Sequence, residues 1–296
     1  MMLFVFPAYA DMGNELATSL GIQLGQCSIE RFPNHELHAA IQTDVVNEEC
    51  IILSTIAPPD EQLLSTLLLS HTLKKEGART IIALLPYLAY ARDDKRKAGQ
   101  SLATAWVGAL LQASDIDEVI TVDVHSSTAQ HLFPMPIVSL SPAELFAQEI
   151  KRHALLNATI VAPDEGALDR CQAVASAAGM TQEVVVLEKR RTREGVIHVS
   201  ISGPVGQRAV IVDDILDTGG TLVSCCEQLQ QRGVRDITIL VTHGLFTGTL
   251  WQKLWTCEVK RIDCTDTIPS VKESSSENIG TLSVLPLLCR HLQTRS

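Results

Sequence analysis

No basic stripe, no long apolar run and no paired-cysteine motif occurs in this 296-residue chain, and each absence removes a class of function. Acids outnumber bases 34 to 24, a net charge of −10, which argues against a general nucleic-acid or acidic-membrane binder. No apolar stretch reaches the roughly 18 residues that a membrane span needs. The eight cysteines show neither a CxxC pair nor zinc-ligand spacing. They sit in apolar or helical contexts, such as Cys50, Cys171, Cys225 and Cys289, so reduced thiols in a cytoplasmic protein are expected. The pattern GxxxxGK[ST] is missing, which excludes a P-loop hold on a nucleotide. The opening MMLFVFPAYAD lacks a basic leader region, the first cation being Arg31, and reads as a first strand rather than a signal peptide.

What is present is a large apolar content, 46% of residues with mean hydropathy +0.16, enough for a sizeable core and, at this length, two domains. Apolar, β-branched runs at 3–7, 50–55, 80–86, 118–124, 158–163, 184–188, 209–213 and 236–241 predict strands, about four in each half. Helical patterns at 60–76, 101–113, 141–153, 166–178, 219–232 and 246–255 alternate with them. Continuous apolar strands separated by helices imply parallel sheets covered on both faces, an α/β architecture. The segment SLSPAELF (139–146) places Ser141 as N-cap, Pro142 at N1 and Glu144 at N3, and reads as the hinge between two similar domains. Positive charge is concentrated, with four of the 24 Lys and Arg in RDDKRK (92–97) and four more in KRRTR (189–193). In an acidic protein such clusters suggest local anion sites.

The stretch AVIVDDILDTGGTL (209–222) is the most informative. In open parallel sheets ligands bind beyond the carboxyl ends of strands, which is where Asp213 and Asp214 fall. The following Asp217, Thr218, Gly219, Gly220 and Thr221 offer backbone N–H groups, hydroxyls and the positive end of a helix dipole, a combination suited to phosphate. Adjacent carboxylates beside a phosphate need hydroxyl donors or a cation, so ribose hydroxyls and Mg²⁺ are the natural partners.

VIVDDILDTGGT is similar to the ribose-5-phosphate signature shared by phosphoribosyltransferases and ribose-phosphate pyrophosphokinases. GIQLGQCSIERFPNHEL (21–37), PYLAYARDDKR (86–96), VDVHSSTAQHLF (122–133), APDEGALDR (162–170) and EKRRTREG (188–195) resemble successive segments of the pyrophosphokinases, and LSVLPLLCRHL (282–292) resembles their closing helix. A phosphoribosyltransferase would lack the N-terminal half. The resemblance implies an α/β protein of two similar phosphoribosyltransferase-type domains, each a mainly parallel sheet flanked by helices. Residues 1–140, joined by a C-terminal helix at 281–294, would form the ATP side, and 141–280 the ribose 5-phosphate side.

It further implies transfer of the β,γ-diphosphoryl group of MgATP to the 1-hydroxyl of ribose 5-phosphate, with Mg²⁺ as cofactor and ATP as co-substrate. Lys189 and Arg191, expected in a polar loop after the strand 184–188, match the catalytic mobile-loop pair. Phe32, Asn34, Glu36, Arg92, Asp93 and His125 match ATP-binding positions, and His125 with Asp164 match positions that bind the metal–nucleotide. Asp213, Asp214, Asp217, Thr218, Gly219, Gly220 and Thr221 would take ribose 5-phosphate. The chain departs from the family pattern where Asn34-His35 stands for Asp-Gly, where Asp93 stands for Gln, and where Gly166-Ala167 stands for paired glycines. These departures leave a non-catalytic regulatory relative, or a transferase acting on another ribosyl acceptor, as alternatives. A homo-oligomer, at least a dimer, is implied by adenine contacts borrowed from a neighbouring subunit.

Overall fold

The computed structural model describes residues 1–192, 195–269 and 277–295, with backbone alone for 189–192 and 195–199. The chain divides into two compact units, Met1–Leu140 with Leu285–Ser296, and Ser141–Val284.

In the first unit β1 (Met2–Val5) leads through a 3-10 turn into α1 (Ala10–Leu20), followed by β2 (Gln23–Leu24) and the hairpin strands β3 (Cys27–Arg31) and β4 (Leu37–Ile41). Then come β5 (Glu49–Leu53), α2 (Glu61–Lys75), β6 (Thr80–Leu84), α3 (Ala103–Ala113), β7 (Glu118–Val122), α4 (Ser127–His131) and β8 (Ile137–Leu140). Six strands form a parallel sheet in the order β2-β1-β5-β6-β7-β8, while β3 and β4 pair antiparallel by themselves. Leu3, Phe4, Ile51, Ile52, Leu53, Ile81, Ile82, Val119 and Ile120 are fully buried, as continuous apolar strands must be when both sheet faces are covered.

The second unit opens with α5 (Ala143–Arg152) and continues through β9 (Thr159–Ala162), α6 (Leu168–Ala178), β10 (Val185–Thr192), β11 (Gly195–Ile201) and β12 (Arg208–Leu216). It closes with α7 (Gly220–Gln231), β13 (Asp236–Gly244), β14 (Val259–Thr265) and β15 (Ile279–Leu282). The sheet order is β11-β10-β9-β12-β13-β14-β15, parallel throughout except for the antiparallel β10–β11 pair. Phe146 and Ile150 of α5 and Val174 of α6 pack against Ile160, Val210, Val212 and Leu240 of the sheet.

The chain then returns to the first unit with α8 (Leu285–Gln293), which buries Leu287, Leu288 and Leu292 and packs beside α1. Arg295, just past its end, grips both oxygens of Glu118 on β7 at 2.8 and 2.7 Å.

The sheets are wider than four strands each. Added to the expected strands are β2, β8 and β15, of two to four residues and too short to stand out, and β11 and β14, whose apolar pattern polar residues interrupt. β14 is the clearest instance: Lys260, Arg261 and Asp263 interrupt its apolar pattern, yet Asp263 is fully buried and salt-bridged to Arg261 at 2.8 Å. The expected helix at 246–255 is instead a 3-10 helix, Leu250–Thr256. The start of α5 lies one residue later than expected: Pro142, not Ser141, is the N-cap and Ala143 the first helical residue, while Ser141 Oγ accepts from the Ala143 N–H at 3.3 Å. All eight cysteines are free thiols. Among the described residues no helix is long and apolar enough to cross a membrane.

Candidate functional site

In the second unit the acidic strand does not stop at its acids. β12 continues to Leu216, pairing Asp213 with Val241 and Ile215 with His243 of β13, so the carboxylates are held by a rigid ladder rather than by a loop. Asp213 Oδ1 accepts the Asp214 N–H at 2.9 Å, and Asp214 is buried. Burial above all, and then the neighbouring Asp214 charge, push the Asp213 carboxyl well above the ordinary aspartate range, with the Arg170 guanidinium opposing them. Burial also pushes the thiols of Cys171 and Cys225 up, so both stay neutral near Asp213. A carboxyl so placed keeps its proton until hydroxyl donors or a cation favour its charged form.

The turn after the strand is shaped by one contact. Gly219 has φ +86, and a Cβ there would lie 2.7 Å from the Cα of Trp251 and 2.8 Å from its Cβ. Only glycine meets both the left-handed backbone and the close approach. Trp251 is itself fixed, its ring edge-on to Phe246 at 4.9 Å and its Nε1–H donating to the Gly248 carbonyl at 3.1 Å. The segment after β13 braces the turn from below, with Leu245 N–H to the Leu216 carbonyl at 2.8 Å and Thr247 N–H to the Asp217 carbonyl at 3.1 Å. Gly219 is the N-cap of α7 and its own position offers no side-chain cap, so the first N–H groups of the helix have no intrahelical partner. Trp251 has no sequence signal for this role, because its contact is made by its main chain and Cβ, not by its ring.

Asp164 follows β9 and precedes a 3-10 turn, Glu165–Ala167, with its carboxylate 3.0 Å from the place a Cβ on Gly166 would take. The next position, Ala167, is buried in the core, so an alanine is accommodated where the family pattern has a second glycine. Arg170, on the first turn of α6, is the cation that answers Asp213 and carries no motif signal beyond its place in APDEGALDR. Lys189 and Arg191 are not in a loop: β10 extends through Thr192 and pairs Lys189 with His198 and Arg191 with Val196, with a register shift between Glu188 and Lys189. A sequence this rich in cations masks strand character. Their side chains lie outside the described residues.

In the first unit the turn between β3 and β4 carries Phe32 to Glu36. The Phe32 N–H donates to the Glu36 carbonyl at 2.9 Å and the His35 N–H to the Phe32 carbonyl at 2.8 Å. His35 has φ +69, the left-handed backbone that glycine adopts freely. Asn34 Oδ1 accepts the Glu36 N–H at 3.2 Å, so this side chain shapes the turn. Phe32 remains 48% exposed beside His38, at a ring distance of 5.0 Å, and presents an open aromatic face.

Two further loops leave the carboxyl ends of the adjacent strands β6 and β7. Arg92 is exposed on the first. Asp93 turns inward to α3, Oδ2 accepting from Ser101 Oγ at 2.6 Å and from the Ala103 N–H at 2.9 Å. Those two bonds, the hydroxyl first, hold its carboxyl below the ordinary aspartate range. Asp94 is buried and accepts from Ser126 Oγ of the second loop, next to the exposed His125. His125 and Asp164 belong to different units. Among the described residues, the side chains that converge as a metal-type group are Glu149, His153 and Asp263. Arg152, 3.4 Å from Glu149, and Arg261, 2.8 Å from Asp263, already neutralise both of its carboxylates, so it is an ion-pair network.

Comparison with known proteins agrees along the whole length. Residues 1–114 match the N-terminal domain of ribose phosphate pyrophosphokinase, and residues 180–294 match the phosphoribosyl synthetase-associated domain. Ribose-phosphate pyrophosphokinase of Wolinella succinogenes is 33% identical over 96% of this chain and 92% of its own. The Bacillus caldolyticus protein of the same name is 30% identical over 97% and 92%. The crystal structure of phosphoribosylpyrophosphate synthetase from Mycobacterium smegmatis superposes with a TM-score of 0.88 at 25% identity, covering 99% of this chain and 98% of that one.

Proposed function

Since the chain belongs to the ribose-phosphate pyrophosphokinase family, we infer that its two loop systems hold ribose 5-phosphate and ATP for diphosphoryl transfer. The 1-hydroxyl oxygen of the sugar attacks the β-phosphorus, the bond to the α,β-bridging oxygen breaks, AMP leaves, and the hydroxyl proton is lost. The products are 5-phosphoribosyl 1-diphosphate and AMP.

The observation that carries the residue assignment is the 213–221 loop, with Gly219 packed on Trp251 at the N-cap of α7. Asp213 and Asp214 accept from the ribose hydroxyls, which favours their charged form. Asp217, Thr218, Gly219, Gly220 and Thr221 surround the 5-phosphate with backbone N–H and hydroxyl donors. Lys189 and Arg191 counter the charge of the transferring group, where positioning and electrostatics carry most of the catalysis. Arg92 and His125 take the polyphosphate, Phe32 stacks on the adenine, and Glu36 accepts from its amino group. Asn34 and Asp93 serve ATP by shaping their loops, being engaged by the Glu36 N–H and by Ser101 and Ala103. The substitutions that favour a non-catalytic relative therefore act on loop geometry.

Mg²⁺ suits the chemistry of Asp164, a partly exposed carboxylate of the hard-oxygen kind the ion prefers. Bound there, the ion would neutralise developing phosphate charge. The same reading takes the protein to be a cytoplasmic homo-oligomer, at least a dimer. The test is incubation of the purified protein with Mg²⁺, ATP and ribose 5-phosphate. AMP together with a diphosphorylated sugar is the expected product pair. AMP formed only with another acceptor overturns the substrate assignment, and no AMP overturns the catalytic reading.

A further inference from the structure

We propose that Asp94 is a positioning residue that locks the His125 loop to the Arg92 loop, using its carboxylate as a hydrogen-bond acceptor for Ser126. The inference rests on the assignment of ATP to these two loops.

Asp94 is 6% exposed, at the foot of a loop whose neighbours Arg92, Lys95, Arg96 and Lys97 all face solvent. A carboxylate that is buried while its neighbours are not needs a partner, and Ser126 Oγ–H supplies one. Ser126 is doubly engaged: the same oxygen accepts the Ala129 N–H at 3.0 Å and caps the single turn Ser127–His131. One hydroxyl therefore ties the backbone just after His125 to the backbone just after Arg92 and Asp93.

The surrounding bonds show how much else depends on that tie. The His125 loop leaves β7 through Asp123, a non-glycine residue at φ +49, and the Arg92 loop passes through Tyr90 at φ +66. Both backbones are strained and persist because their neighbours hold them. At its base the His125 loop is fixed by Asp123 N–H to the Leu140 carbonyl at 2.9 Å and Val124 N–H to Ser139 Oγ at 2.9 Å. The Arg92 loop is fixed by Thr104 Oγ1 to the Tyr90 carbonyl at 2.8 Å. Those bonds secure each loop to a neighbouring strand or helix. The Asp94–Ser126 bond joins one loop to the other beyond the strand ends, level with the residues assigned to the nucleotide.

The test is steady-state kinetics of the full-length enzyme with Asp94→Ala, Asp94→Asn, Ser126→Ala and the double alanine variant, with thermal melting alongside. Wild-type AMP formation checks the underlying assignment by itself. Against that background, Asp94→Ala and Ser126→Ala should each raise KM for ATP about tenfold and leave KM for ribose 5-phosphate within about twofold. The double variant should be no worse than Asp94→Ala, because both changes remove one bond. Asp94→Asn should restore most of the loss, since the amide oxygen still accepts from Ser126. An unchanged KM for ATP, an equal rise in both KM values, additive effects in the double variant, or an asparagine variant as poor as alanine would each overturn the proposal. If Asp94→Ala does not fold, Ser126→Ala and Asp94→Asn decide it through the same two KM values.

Discussion

Gly219→Ala is the sharpest test of the phosphate turn. At φ +86 an alanine meets the left-handed penalty, about 1–2 kcal/mol. Its Cβ would also sit 2.7 Å from the Trp251 Cα and 3.2 Å from its backbone nitrogen. Those are main-chain atoms, so no rotamer change relieves the overlap, and displacing a packed neighbour costs about 1–3 kcal/mol. The sum is ~2–5 kcal/mol, carried by the turn itself, since β12 and β13 below it are tightly paired. If the turn shifts and gives up about 2 kcal/mol of phosphate binding, KM for ribose 5-phosphate rises roughly 30-fold. KM for ATP should hold, and the urea midpoint should fall only as far as the turn strains the fold. Both KM values and the midpoint can be measured on one preparation. A variant with wild-type affinity for ribose 5-phosphate and unaltered stability would refute the argument that this glycine builds the site.

Lys189→Ala should lower kcat about a hundredfold or more while ATP binding, followed by calorimetry, stays near wild type, because the residue acts on charge developing in the transition state. A large loss of ATP binding at unchanged kcat contradicts that role. Asp213 has a raised carboxyl, so the folded ligand-free protein holds a proton that the unfolded chain releases. Its contribution to stability is fully present below the ordinary aspartate value of 3.8 and is lost as pH rises through the folded value. Asp213→Asn should therefore flatten the decline of stability in urea titrations as pH rises above the ordinary aspartate value of 3.8; an unchanged slope is the contrary result. His35→Gly should stabilise the β3–β4 turn by about 1 kcal/mol, because φ +69 is free of strain for glycine, and a lower melting temperature would count against it.

The central strands and the sugar-phosphate turn are legible in the sequence for the same reason: both follow strong local rules. Continuous apolar runs such as CIILS and TIIALL have one stable use in a chain of this kind, and DTGGT after an acidic strand end has few. What escapes is set by partners distant in sequence. β14 carries a buried Asp263 because Gly280 of β15, which has no side chain, leaves room there for the carboxylate and the Arg261 guanidinium that pairs with it. β10 runs on through Lys189 and Arg191 because β11 pairs with them. Asp93 reads as a carboxylate misplaced beside polyphosphate until Ser101 and the Ala103 N–H are seen to occupy it. Asp94, its neighbour, looks the same in the sequence and does something different, being turned to Ser126.

The path of the chain also constrains how the molecule is made. Leu140 ends one run of the first unit and Leu285 begins the other, 145 residues later (285 − 140), so the second unit is an insertion tethered at both ends. A nascent chain that has delivered β1 through β8 still lacks α8, whose buried Leu288 and Leu292 complete the packing beside α1. The domain synthesised first is thus the one finished last, because Leu287, Leu288 and Leu292 reach it only after the inserted domain has been made. Late truncation should damage the early half of the protein more than the half it adjoins in sequence.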